Sequence, residues 1–188
     1  IAHRVERNRS TGLGDVTALA AGGVERRTSP GSPFTGDLLT KGPGVSEGWF
    51  EKIEVLLAWK EDSGKHTSSY IDDPNWKESI SKAGAKQMNS LIQGEWDKSQ
   101  WRKLIESSEI FAHESGLLLD SSRSELLEES RGIIHTLDLE YTPLLCMLGK
   151  SLVIVPKNVE DGRFPDNLQQ RLKEVGFKTQ KTMLRSLF

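Results

Sequence analysis

The chain has 188 residues, of which 36% are hydrophobic and 28% are charged, and a formal net charge of −2. This length suits one ordinary domain with extensions, and the mean hydropathy of −0.47 indicates that part of the chain lies outside a compact core. The nearly neutral charge excludes a general electrostatic attraction to nucleic acids or membranes. The apolar runs are much shorter than the ~20 residues that cross a bilayer, so no membrane partner is predicted. The single cysteine, Cys146, excludes an intramolecular disulfide and a cysteine-based zinc site. An intracellular, reducing compartment is predicted, with the mature form of an imported protein as the alternative.

Residues 1–45 are rich in Gly, Ser, Thr, Pro and Arg, and they are predicted to form an extended or flexible tail or linker. A segment of this composition buries too little apolar surface to offset its ordering entropy. Gly12 and Gly14, followed by Ala18, resemble a dinucleotide-binding loop, but such a loop joins an apolar strand to a helix. Here the preceding residues 7–11 read RNRST, so a flexible tail is the favoured interpretation.

Basic residues in the tail raise two further hypotheses. Arg26 and Arg27 precede Ser29 in an order that basophilic or proline-directed kinases favour, so regulation by phosphorylation near Ser29 is one of them. Nucleic-acid binding through the arginines is the other, and it is disfavoured by the acidic residues between them. The arginines concerned are Arg4, Arg7, Arg9, Arg26 and Arg27.

Residues 46–108 are predicted to form about three helices. The first begins at Ser46, the second at the Asp-Pro pair of residues 73–74 and the third at Asp97, because each position suits a helix N-cap. Residues 44–48 also match the G-x-S-x-G pattern of an esterase nucleophile. That pattern requires a buried strand in front of the serine, and none is predicted here, so the helix cap is the favoured interpretation.

All five tryptophans lie in this helical part. Core packing is the ordinary role of Trp, but clustered Trp side chains also mark partner surfaces, because they bury a large area at little entropic cost. The tryptophans predicted to contact a partner are Trp49, Trp59 and Trp76.

Residues 109–188 are predicted to alternate strands and helices. Residues 152–155 (LVIV) form an apolar run without polar alternation, which is typical of a strand covered on both faces in a parallel sheet. A helix that begins at Asp166 and ends at Gly176 follows, and the next strand begins near Phe177. Together these elements predict a βαβ unit.

The same alternation extends upstream. Residues 116–120 and 133–139 are predicted as strands on either side of a helix that begins at Ser122, and residues 144–148 as a third buried run or a short helix. The predicted architecture is a single α/β domain over residues 46–188, in which a helical N-terminal third leads into a small, mostly parallel sheet with flanking helices. The extended tail precedes it.

Residues 149–155 (GKSLVIV) and 168–179 (LQQRLKEVGFKT) together resemble the late strand–helix–strand of class I S-adenosylmethionine-dependent methyltransferases. The resemblance covers about the last 40 residues, and it implies a small α/β enzyme or cofactor-binding domain. The glycine-rich cofactor loop of that family follows an early strand, and this chain has no counterpart of it. No cofactor is therefore predicted.

In such an enzyme, ligands bind at the carboxyl ends of the parallel strands. The residues predicted at these ends are Asp120, Ser121, Asp138, Pro156, Lys157 and Asn158. No metal site is predicted, because the histidines lack the spacing of metal ligands. The histidines are His3, His66, His113 and His135.

The favoured functional hypothesis is a non-catalytic interaction or regulatory subunit of a larger assembly. It follows from the absence of a complete catalytic motif, and it places other protein subunits against the tail and the Trp-bearing helices. The small α/β enzyme similar to the methyltransferases is the alternative.

Overall fold

The computed structural model describes residues 14–34, 40–61, 73–146, 149–160 and 163–184. Its helices are α1 (Gly14–Ala21), α2 (Pro74–Leu91), α3 (Trp101–Glu114), α4 (Ser121–Thr136) and α5 (Asp166–Glu174). Its strands are β1 (Val24–Ser29), β2 (Val45–Trp49), β3 (Ile53–Trp59), β4 (Tyr141–Leu145), β5 (Ser151–Pro156) and β6 (Lys178–Leu184). Single 3-10 turns occupy Lys98–Gln100 and Leu117–Leu119. None of these helices is long and apolar enough to cross a membrane.

A four-stranded sheet in the order β4-β5-β3-β6 forms the centre of the molecule. All of its neighbouring strands run antiparallel. In β5, Leu152 and Ile154 face one side of the sheet, while Val155 packs with the residues of the other side. The predicted strand at residues 152–155 is therefore present, but the prediction of a mostly parallel sheet is wrong. An apolar run indicates only that both faces are covered, and here helices cover both faces of an antiparallel sheet.

Each face of the sheet has its own apolar cluster. Helices α4 and α5 cover the first face, and helices α2 and α3 with the β1–β2 hairpin cover the second. The first cluster contains Leu56, Ala58, Leu126, Leu127, Ile134, Tyr141, Leu152, Ile154, Phe164, Leu168, Leu172 and Phe177. The second contains Val24, Trp49, Ile53, Val55, Leu91, Trp96, Trp101, Ile105 and Val155.

The front of the chain differs from its prediction. The helix expected from Ser46 is absent, because residues 45–49 form β2, which pairs with β1, and residues 53–59 form β3, which pairs with β5 and β6. The β-branched residues Ile53 and Val55 suit a strand, and pairing on both sides outweighs their helical spacing. The predicted extended tail is also wrong for the described residues, where α1 and β1 are found. Helices are thus spread along the chain and do not form an N-terminal third.

The back half also needs correction at two apolar runs. Residues 116–120 hold the 3-10 turn Leu117–Leu119 in place of a strand. Residues 133–136 belong to the last turn of α4, which continues through Gly132. A Cβ at Gly132 would have no neighbour within 4 Å, so nothing forces the helix to end there.

Other local predictions are confirmed. Asp73 caps α2, because its carboxylate accepts hydrogen bonds from the backbone N–H groups of Asn75 and Trp76, and Pro74 is the first helical residue. Gly176 has a φ of +90° directly after α5. The strand β6 then begins at Lys178.

Candidate functional site

Helix α1 begins at Gly14, directly after Gly12 and Leu13 in the sequence. The first backbone N–H groups of a helix have no partner within the helix, and a glycine-rich segment in front of them allows a phosphate to approach closely. The segment therefore meets one requirement of a phosphate-binding loop, namely that it opens a helix. The residues before Gly14 lie outside the described part of the chain.

The helix α1 is held closely against the β1–β2 hairpin. Gly22 and Gly23 follow it with φ values of +71° and +59°, a conformation that favours glycine. A Cβ at Gly23 would lie 2.1 Å from the carbonyl oxygen of Trp49, and one at Gly48 would lie 2.0 Å from that of Gly22. Side chains larger than hydrogen are excluded at both points, so the helix and the hairpin form one tight unit.

Two side chains attach this unit to the main body. Arg26, which is 7% exposed, donates hydrogen bonds to the carbonyl oxygens of Leu91 (2.7 Å) and Gly94 (3.1 Å) at the end of α2. The indole N–H of Trp96 donates to the carbonyl oxygen of Val24 at 2.8 Å. The start of α1 is thus carried on a fixed scaffold.

The predicted site residues Asp120 and Ser121 lie at the N-terminus of α4. The Asp120 carboxylate accepts hydrogen bonds from the Ser122 hydroxyl (2.5 Å) and from the backbone N–H of Arg123 (3.2 Å). The hydrogen bond from Ser122 is the main reason that the pKa of Asp120 lies below its ordinary value, while burial acts in the opposite direction. Asp120 therefore acts as a helix cap in this structure.

A cleft of about 240 Å³ lies beside this helix end. Among its lining residues are two lysines and three glutamates, so negative side chains outnumber positive ones. The three glutamates would repel an anionic ligand there unless a metal cation were bound with it. The charged lining residues are Lys60, Lys150, Glu61, Glu125 and Glu129.

The predicted residues Asp138 and Lys157 lie together at the opposite end of α4, in a polar cleft of about 240 Å³. Asp138 has a φ of +51°, the only positive value of a non-glycine residue in the described part of the chain. The Lys157 ammonium lies 3.1 Å from the Glu140 carboxylate. Beside it, the Pro156 carbonyl accepts from Trp101 at 2.8 Å, and the Asn158 side-chain oxygen accepts from Arg102 at 3.1 Å.

The predicted ligand-binding residues therefore fall into two groups. The 16 residues of α4 separate Asp120 from Asp138, a length of about 24 Å at 1.5 Å per residue. The prediction placed them at the ends of neighbouring parallel strands, but residues 116–120 hold a 3-10 turn and residues 133–136 are helical, so neither Asp120 nor Asp138 follows a strand. Ligand binding by either group stays a prediction.

The tryptophans predicted to contact a partner differ in exposure. Trp49 is 8% exposed and packs edge-to-face against Trp101, with ring centroids 6.2 Å apart. Trp59 and Trp76 are half-buried. A partner contact through them stays a prediction. Within the described ranges, no group of three or more His, Cys, Asp or Glu side chains is arranged to hold a metal ion.

The chain is similar in sequence to a kinase and in fold to a phosphotransferase. No protein-family model matches the chain. Over 161 residues, or 85% of its length, the chain is 28% identical to the pantoate kinase of Thermococcus kodakarensis. A solved structure of a phosphotransferase related to the CoA biosynthesis pathway matches 96% of the chain, with a TM-score of 0.66 and 24% identity. The fold resembles that of a phosphotransferase.

These matches cover 47% of the pantoate kinase and 52% of the solved chain, so this chain spans about half the length of each. The hypothesis of a non-catalytic interaction or regulatory subunit is wrong, because the relative is a kinase. The methyltransferase alternative is also wrong, since the matches are to a kinase and a phosphotransferase. The glycine-rich segment at residues 12–14, which was interpreted as part of a flexible tail, leads into the helix that begins at Gly14.

Proposed function

We propose that this chain is part of a kinase that transfers a phosphoryl group from a nucleoside triphosphate to pantoate or a closely related small hydroxy acid. The observation that carries this proposal is the 28% identity to a pantoate kinase over 161 residues. The similar fold of a phosphotransferase related to CoA biosynthesis supports it. Because the chain spans about half of these proteins, its contribution to the reaction is argued from its own residues.

In this reaction a hydroxyl oxygen of the acid attacks the γ-phosphorus. The bond between that phosphorus and the bridging oxygen of the leaving nucleoside diphosphate breaks, and the hydroxyl loses its proton. Catalysis of such a transfer depends mostly on positioning and on electrostatic stabilisation of the phosphate oxygens. A group of fixed N–H donors facing the phosphates is therefore the main requirement on the protein.

The start of α1 is our candidate for these donors. The free N–H groups of its first turn and the positive end of the helix dipole favour phosphate binding. Glycines stand at positions 12 and 14 of the sequence, as phosphate-binding segments in front of a helix require, because glycine has no side chain to obstruct the phosphate. The close packing of Gly23 and Gly48 and the contacts of Arg26 keep this turn in place, as a binding site requires.

The test compares two identical substitutions at helical glycines. We expect the purified chain to bind MgATP and MgADP in isothermal titration calorimetry. Gly14→Val, which places a branched side chain at the start of α1, should weaken binding by about tenfold or more, the effect of losing roughly 1.4 kcal/mol. Gly132→Val is the control, since a Cβ there has no neighbour within 4 Å. Absence of nucleotide binding by the unmodified chain, or equal weakening by both substitutions, would refute the proposed role of α1.

A further inference from the structure

A cleft of about 280 Å³ lies between α2 and α3, apart from the clefts described above. Most of its wall is apolar, and none of its lining residues carries a charge. The lining residues from α2 are Gly84, Gln87, Met88 and Leu91, those from α3 are Ser107, Ser108, Phe111 and Ala112, and Leu117 and Leu145 complete the wall. An apolar cleft of this size with a few polar groups is typical of small-molecule sites.

Two buried polar side chains on this wall have unused hydrogen-bonding capacity. Ser107 is 5% exposed and lines the cleft, and no hydrogen bond from its hydroxyl to another described residue is seen. Its neighbour Ser108 instead donates to the carbonyl oxygen of Leu104 at 2.8 Å. Gln87 is 9% exposed, and its amide nitrogen makes only a long contact of 3.4 Å with the Glu114 carboxylate. A hydroxyl on the wall of a cleft, with its hydrogen-bonding capacity unused by the protein, is available to a ligand that enters the cleft.

Charge excludes the substrates of the proposed kinase from this cleft. Nucleotide phosphates and a carboxylate need cationic or free N–H partners, and burying an anion without them is costly. The lining side chains supply no cation, and the backbone N–H groups within α2 and α3 are used by the helices themselves. Glu114, whose carboxylate contacts the Gln87 amide, is paired with Lys86.

We propose that this cleft binds a small uncharged organic molecule with an apolar body and one hydroxyl or N–H group, which hydrogen-bonds to Ser107. The apolar body of the ligand would contact the apolar wall, and its hydroxyl or N–H group would hydrogen-bond to the Ser107 hydroxyl. This site is separate from the start of α1 and does not depend on the proposed kinase activity.

The test uses three probes that share one ring: phenol, toluene and benzoate. Binding to the purified chain is followed by amide chemical-shift changes in two-dimensional NMR. Phenol should bind saturably with a Kd of about 1 mM or tighter, as suits a ligand of its size. Benzoate should bind at least about tenfold more weakly, because its charge has no partner.

Two substitutions assign the contacts. Ser107→Ala should weaken phenol binding by roughly 3- to 10-fold, the effect of one neutral hydrogen bond, and leave toluene binding unchanged. Gly84→Leu should abolish binding of both probes by filling the cleft, and it is sterically mild, since the nearest atom to a Cβ there is a Phe111 ring carbon at 3.7 Å. Gly132→Leu, on α4, is the matched control and should bind both probes normally. If Gly84→Leu does not fold, Gly84→Val replaces it and should weaken binding at least about threefold.

Three results would overturn the proposal. The first is no saturable shift with phenol up to about 20 mM, well above the expected constant. The second is undiminished binding to the Gly84 variants. The third is equal affinity for phenol and toluene with no effect of Ser107→Ala, which would remove the role of the hydroxyl.

Discussion

Arg26 shows how one buried side chain fixes the geometry of the proposed site. Its guanidinium bonds the Glu47 carboxylate at 2.7 Å and two carbonyl oxygens at the end of α2, and it lies 5.1 Å from the centre of the Trp96 ring. Replacement by Met would leave those carbonyls and the carboxylate without their donor. We expect Arg26→Met to lower the free energy of unfolding by about 2–4 kcal/mol, measured by urea denaturation followed by tryptophan fluorescence.

The neighbouring arginine provides the control for this prediction. Arg27 is 42% exposed in its side chain and pairs with Glu25 at 2.9 Å on the surface. Exposed ion pairs contribute little to stability, so Arg27→Met should lower the free energy of unfolding by less than about 1 kcal/mol. Equal losses for the two substitutions would mean that Arg26 does not connect the hairpin to α2 in the way described. Both arginines were predicted to be tail residues, because nothing in the local pattern indicates that Arg26 contacts Leu91, 65 residues further along the chain.

At the scale of the element, the glycine that follows α5 and the glycine inside α4 have opposite roles. Gly176 has a φ of +90°, where an L-residue is strained, although a Cβ there would have no neighbour within 4 Å. Gly176→Ala should therefore destabilise the protein by about 1–2 kcal/mol through the backbone alone. Gly132→Ala, inside α4, should stabilise it by up to about 1 kcal/mol, because Ala is the better helix former. Thermal unfolding followed by circular dichroism measures the melting temperature of both variants. If the two substitutions shifted the melting temperature in the same direction, this account would be contradicted.

Sequence patterns predicted elements well where the signal was local. The cap at Asp73, the end of α5 at Gly176 and the strand at residues 152–155 all follow from a few adjacent residues. The patterns failed where pairing decides the structure. Residues 45–49 and 53–59 become strands because β1, β5 and β6 lie beside them, and residues 133–136 remain helical because α4 simply continues.

For the whole molecule, strand direction was the information that the sequence did not contain. The apolar run at residues 152–155 fits a covered strand in a sheet of either kind. Asp120 and Asp138 lie at opposite ends of α4, because the apolar runs beside them form a 3-10 turn and part of that helix in place of strands. The predicted sites were therefore divided between two clefts. The glycine-rich segment at residues 12–14 is visible in the sequence, and the observation that a helix begins at Gly14 makes it our candidate phosphate-binding segment.

We propose that the chain is part of an enzyme that transfers a phosphoryl group to a small hydroxy acid. The most direct measurement is ³¹P NMR of the purified protein with MgATP and pantoate. We predict a new phosphate monoester signal that grows in proportion to ADP and requires pantoate. Formation of ADP and inorganic phosphate alone, or no change in the ATP signals when pantoate is added, would contradict the claim.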